Sequence, residues 1–134
     1  MPIIRTIYRG GLRTGNEHLL SGNKIMTDVP PDNQGKGEYF SSTDLLATAP
    51  GSCNMTIMGI KARDFGINLT GTVVDVAKIM AFRKRRVAGV IVDFNFPDEG
   101  YTYEGKKLVG SLAGTGPVPL SLHPDLIQAI RFHW

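Results

Sequence analysis

The chain has 134 residues, 42% of them hydrophobic and 20% charged, which suits one globular domain with a substantial core. A formal net charge of +3 is too small to mark a dedicated nucleic-acid binder, and no apolar run reaches bilayer-spanning length, so neither a nucleic-acid nor a membrane partner is expected. One cysteine excludes an intrachain disulfide, and three histidines without ligand spacing give no reason to expect a metal or another cofactor.

The start, Met1-Pro2-Ile3-Ile4-Arg5, lacks the apolar core of a secretion leader, so a cytoplasmic protein is expected. Residues 3–8 are short, apolar and β-branched and predict a strand; Gly10-Gly11 predicts a turn. Residues 12–20 and 24–28 predict two further strands, separated by Ser21-Gly22-Asn23. Residues 30–37 have loop chemistry throughout, and a loop of this length in a small domain is often functional.

Ser41, Ser42 or Thr43 can cap the helix that follows, with Asp44 in its first turn and Gly66 as its stop. Leu45, Leu46, Ala49, Ile57 and Ile60 predict a central, well-buried helix, apolar enough to need cover from a partner subunit. Residues 72–79 and 87–96 predict a hairpin, with Val90, Val92, Phe94 and Phe96 on one face and Asp93 and Asn95 on the other. Residues 103–112 predict a second helix, and Pro117 opens one further helical turn over 118–122. After the His123-Pro124-Asp125 turn, residues 126–132 predict the last strand. The order is three strands, a helix, two strands, a helix and a strand: a single α+β domain over residues 1–134.

Pro50-Gly51 interrupts the helical run and puts Cys53 near a helix start, or near a kink with loosened amides. Unpaired N–H groups and the positive end of the helix dipole would favour thiolate there. A lone cysteine is also commonly a small buried hydrophobe, and local sequence leaves both readings open. A reactive thiolate needs a cation and something to orient it. Arg13, just after the Gly-Gly turn, is the candidate cation, and Asp44 the candidate acid to fix it. On the residues alone, both read more readily as unconnected surface charges.

His18 and His123 lie in no motif typical of Cys–His hydrolases, and His123 reads as a turn cap. The run Arg83-Lys84-Arg85-Arg86 falls between two strands and reads as a solvated hairpin tip rather than a nucleic-acid site. Gly114-Thr115-Gly116 precedes Pro117 and is not a dinucleotide fingerprint.

These segments together resemble the OsmC/Ohr family of osmotically inducible and organic hydroperoxide resistance proteins, over nearly the whole chain. The resemblance rests on Tyr8-Arg9-Gly10-Gly11-Leu12-Arg13, on Gly35-Lys36-Gly37-Glu38 leading into Ser42-Thr43-Asp44-Leu45-Leu46-Ala47, on Gly51-Ser52-Cys53, and on Pro117-Val118 followed by Ser121-Leu122-His123-Pro124-Asp125. It implies an OsmC-like α+β fold, built as an intertwined homodimer with central helices wrapped by sheets and active sites at the subunit interface.

The implied activity is thiol-dependent peroxidase chemistry on organic hydroperoxides, in oxidative stress defence. Cys53 matches the peroxidatic cysteine and Arg13 the family arginine. Asp44 is the best match for the family's acid, usually glutamate, with Thr43 the competing alignment. Phe40, Leu46 and Ile57 are candidates for an apolar substrate pocket. The family's second, resolving cysteine is replaced here by Gly116, so an external thiol reductant is required. The alternative is a catalytically idle relative that binds a small apolar ligand in the dimer pocket.

Overall fold

A computed structural model describes residues 1–134. The chain forms two compact units, Met1–Leu46 and Ala47–Trp134. The first holds β1 (Ile4–Gly10), β2 (Arg13–His18) and β3 (Lys24–Thr27), an antiparallel sheet in the order β1-β2-β3. The β1–β2 turn needs its glycines: Gly10, Gly11 and Leu12 all have left-handed backbone, at φ 80, 62 and 64. The register shifts between Tyr8 and Gly10, and Arg13 is the first residue of β2. Four apolar residues of this sheet, Ile4, Ile7, Tyr8 and Ile25, are exposed. The loop over residues 30–37 contains one short 3-10 turn, Pro31–Asn33.

The second unit is built on another three-stranded sheet, β4 (Val73–Met80), β5 (Val87–Asn95) and β6 (Ile127–His133), in the order β4-β5-β6. β4 and β5 form the expected antiparallel hairpin. β5 and β6 run parallel, which requires a crossover, and the chain between them contains α2 (Tyr103–Gly110) and α3 (Pro117–Ser121). Val90, Val92, Phe94 and Phe96 are all buried, as their alternation predicts. They share one core with Met58 and Ala62 of α1 (Ser42–Asp64), Val109 of α2, and Leu126. At its edge Trp134 stacks on Phe96, ring centroids 3.7 Å apart.

Two expectations about α1 need correction. Pro50 does not end it: the helix is continuous from Ser42 to Asp64. A proline inside a helix lacks only its own N–H and disturbs one preceding carbonyl, and here the ring is fully buried. Nor is α1 buried through the apolar residues that the pattern singles out. The buried stripe is Ala47, Pro50, Gly51, Asn54, Met58 and Ala62, whereas Leu46 and Ile60 are exposed. The small residues are the ones that let the helix axis come close to the sheet. A Cβ on Gly51 would fall 2.8 Å from Val76 Cγ2. Gly66, at φ 69, follows the helix as the stop the sequence predicts.

Candidate active site

In the first unit Arg13 is the centre of a polar cluster. Its Nη2 lies 2.8 Å from Glu38 Oε2 and 3.4 Å from Asp28 Oδ2. The guanidinium carbon sits 5.2 Å from the centroid of the Tyr39 ring. Asp28 is buried at 3% exposure and also organises the backbone. Its Oδ2 accepts from the Glu38 amide at 3.0 Å and its Oδ1 from the Val29 amide at 2.8 Å. The Glu38 amide is the main cause that holds the Asp28 carboxyl below the usual carboxylate range; burial opposes it, and the Val29 amide and the Arg13 charge add to it. The hydrogen bond to Glu38 is likewise the main cause that raises Arg13 above its ordinary value.

Asp44, expected to fix Arg13, is found in another role. Its Oδ2 accepts from the Ser41 amide at 2.9 Å, while Ser41 Oγ accepts from the Asp44 amide at 3.0 Å. This is a reciprocal capping box at the start of α1. The carboxylates that contact Arg13 are those of Glu38 and Asp28. Thr43 shares the cap, its hydroxyl 3.1 Å from Ser41 Oγ. Phe40 is exposed, and its carbonyl accepts from the Asp28 amide at 2.9 Å.

In the second unit Cys53 lies about three turns into α1, not at a helix start. The free N–H groups of a terminus are therefore not what the helix offers this thiol. What it does offer is a close neighbour. Cys53 is half-buried, and a Cβ placed on Gly116 would stand 2.7 Å from its Sγ and 3.1 Å from Ile57 Cγ1. The thiol thus occupies the space that any side chain at 116 would need. Asn54, at 1% exposure, fixes the facing segment: its Oδ1 accepts from the Gly114 amide at 2.8 Å. Gly116 is the N-cap of α3. The structure thus brings together Cys53, Ile57 and Gly116, while Leu46 is exposed on α1.

The histidines are engaged elsewhere. His18 Nδ1 is 2.7 Å from Ser21 Oγ, and His123 Nδ1 accepts from the Asp125 amide at 3.0 Å, which makes it a turn cap. No group of three or more His, Cys, Asp or Glu is placed to hold a metal ion, and no helix is long and apolar enough to cross a membrane.

No family model and no curated protein matches the chain. Solved structures do. A protein from Psychrobacter arcticus 273-4, described as an osmotic stress induced and detoxification response protein, is 47% identical with a TM-score of 0.94, covering 99% of this chain and 96% of that one. The chain belongs to the OsmC/Ohr family. More distant members share the fold. The organic hydroperoxide resistance protein OsmC of Legionella pneumophila is 16% identical at TM-score 0.73, over 100% of this chain and 97% of that one. OhrB, the organic hydroperoxide resistance protein of Bacillus subtilis, is 11% identical at TM-score 0.62, with 96% of each chain covered.

For this OsmC/Ohr chain, three residues of the two clusters are ones the sequence reading passed over: Glu38, Asp28 and Asn54. Glu38 was within reach. It closes the Gly35-Lys36-Gly37-Glu38 segment and is a glutamate, the acid the resemblance calls for. Asp28 and Asn54 each accept from an amide distant in sequence, at Glu38 and Gly114, and no local pattern marks those pairings.

Proposed function

We propose that this protein is a thiol-dependent peroxidase that reduces organic hydroperoxides through Cys53 and is reset by an external thiol. The observation that carries this reading is the contact between Cys53 and Gly116. The two segments that the resemblance assigns to the reacting sulfurs lie against each other, with one sulfur absent. In the first step Cys53 thiolate attacks the O–O bond. The distal oxygen joins sulfur as sulfenic acid, and the alkoxide leaves and takes a proton as alcohol. Two thiols then complete the cycle. The first condenses with the sulfenic acid to a mixed disulfide and water. The second displaces Cys53 and leaves as the external disulfide.

Arg13 is assigned the cationic role, stabilising thiolate and departing oxygen, and Glu38 holds its fork in place with Asp28. These roles for Arg13 and Cys53 rest on the family resemblance. The homodimer and the cytoplasmic setting belong to the same proposal; the exposed apolar residues Ile4, Ile7 and Ile25 of the first sheet support a covering partner.

Rapid mixing of the reduced protein with an organic hydroperoxide, followed by mass spectrometry, tests the chemistry. One added oxygen on Cys53 is expected, removed by excess thiol and absent in Cys53→Ser. Arg13→Ala should slow that oxidation at least tenfold, and Glu38→Gln by less, since Asp28 remains. A parent protein that oxidises no faster than Arg13→Ala would remove the arginine from the mechanism.

A second reading, an idle relative carrying a small apolar ligand, draws on two open grooves along α1. One of ≈ 690 Å³ is lined by Met55, Ile60, Ile67 and Leu69 among others, and one of ≈ 370 Å³ by Met55, Val74 and Val76 among others. Cys53 lines neither. Saturable binding of an apolar probe by a protein whose thiol ignores hydroperoxide would favour it.

A further inference from the structure

The tip of the β4–β5 hairpin has no part in either cluster. Between Asp75 and Asp93 the hairpin carries Lys78, Arg83, Lys84, Arg85 and Arg86 and no acid, more positive charge than the net +3 of the whole chain. The rest of the protein is therefore net negative, and the basic character is local. Within the hairpin the acids are far from the tip. Asp93 and its register partner Asp75 lie six residues along β5 from Val87, roughly 20 Å at the strand rise. That exceeds a Debye length of about 8 Å at physiological salt, so they do not neutralise the tip.

The same tip displays Phe82, at 84% exposure the most exposed aromatic side chain in the protein. The Ala81 amide donates to the Arg86 carbonyl at 2.9 Å and closes the turn beneath it. Arg83 sits in the left-handed region at φ 60, a conformation that disfavours a residue with a side chain. Its guanidinium carbon stands 5.1 Å from the Phe82 ring centroid. Arg83, Lys84 and Arg85 are exposed, and Ile79 and Met80 leading into the tip are about half exposed.

We propose that this tip docks the protein on anionic bilayer surfaces. Phe82 enters the boundary between headgroups and acyl chains, and Arg83, Lys84 and Arg85 face the anionic headgroups. An apolar wedge ringed by cations is the composition that binds such an interface without crossing it. A nucleic acid fits less well. One face of the Phe82 ring is already taken by Arg83 and is not free to stack a base, and no second aromatic side chain lies within residues 79–90 to extend a stacking platform. The contact is peripheral and independent of the chemistry at Cys53.

The test uses the full chain with Phe82→Trp and two kinds of vesicle, phosphatidylcholine alone and phosphatidylcholine with about one-third phosphatidylserine. Emission from the new indole, taken as the difference from the parent protein in which Trp134 alone emits, is expected to shift to the blue with anionic vesicles only, and to return when salt is raised to about 0.5 M. Co-sedimentation of the parent should show the same selectivity. The triple change Arg83→Ser, Lys84→Ser, Arg85→Ser should weaken it by about a hundredfold, about fivefold for each cation. Four results would each overturn the proposal: equal binding to both vesicles, no loss in the triple variant, a blue shift before vesicles are added (a second copy already covering residue 82), or a response to a single-stranded oligonucleotide in place of vesicles.

Discussion

Arg13 and Cys53 are held by different physics. Arg13 is fixed by bonds: two carboxylates, one of them itself held by two backbone amides, and an aromatic ring. Cys53 is fixed by packing: a buried stripe from Ala47 to Ala62, with Gly51 at its closest approach, seats its helix on the β4–β6 sheet, and its sulfur fills the place of a side chain at 116. Polar bonds near a surface are replaceable by water and by salt, whereas a filled space is not. The thiol should therefore be sensitive to single methyl groups, and the guanidinium to single charges.

The largest effect should come from the packing that seats α1. Phe94→Ala empties a fully buried site and should cost about 3–5 kcal/mol in urea unfolding. The counterpart on the first sheet is Ile7→Ala: at 46% exposure in a single chain it would cost about 1 kcal/mol or less were the sheet bare, and the proposed homodimer predicts about 2 kcal/mol or more. A cost at Ile7 comparable with that at Phe94 would mean the first sheet is covered in solution, as the proposed homodimer requires.

Next in size is Gly116→Ala. The added methyl would stand 2.7 Å from Cys53 Sγ, so the thiol must rotate away. Overpacking of this kind should cost about 1–2 kcal/mol and change the rate of Cys53 alkylation several-fold. Unchanged alkylation would show that the contact does not set the thiol's orientation. Gly116→Cys is the sharper version. Carbon and sulfur across a disulfide are roughly 3 Å apart, so a shift of a few tenths of an ångström would let the two cysteines bond on oxidation. Loss of both free thiols within a single chain is the expected readout, and two thiols that stay titratable after oxidant would break the proposed pairing of the segments.

How much of this was legible in the sequence follows the same division. Alternation read the buried face of β5 correctly, because one side of a strand faces one environment. The order of strands and helices was likewise legible, because turn residues and periodicity are local signals. The course of α1 through Pro50 was not, since tertiary burial overrode a local breaker. The capping role of Asp44 was legible, since a capping box needs only the Ser41–Asp44 spacing visible in the chain. The partners of Arg13 come from residues 15 and 25 positions away, and no periodicity reports them.

The smallest effect, and the one that tests bonding directly, is on the pH dependence of stability. Asp28 has a folded pKa below its ordinary value, with the Glu38 amide as the main cause. The unfolded chain therefore takes up its proton first as pH falls. The stability Asp28 contributes is complete above the unfolded value near ~3.9 and is lost as pH drops through the lower folded value. Asp28→Asn should flatten the acid limb of a plot of urea midpoint against pH. Asp93 in the second unit offers the control. Arg131 grips both its oxygens at 2.7 Å and His133 adds a contact at 2.8 Å, so its carboxyl is held further down, with Arg131 the main cause. Asp93→Asn should flatten the limb more, and at lower pH. If Asp28→Asn leaves the limb unchanged while Asp93→Asn does not, the Glu38 and Val29 amides do not hold the Asp28 carboxylate in solution, and Arg13 rests on the Glu38 side chain alone. Glu38→Gln should then slow the oxidation of Cys53 as much as Arg13→Ala does.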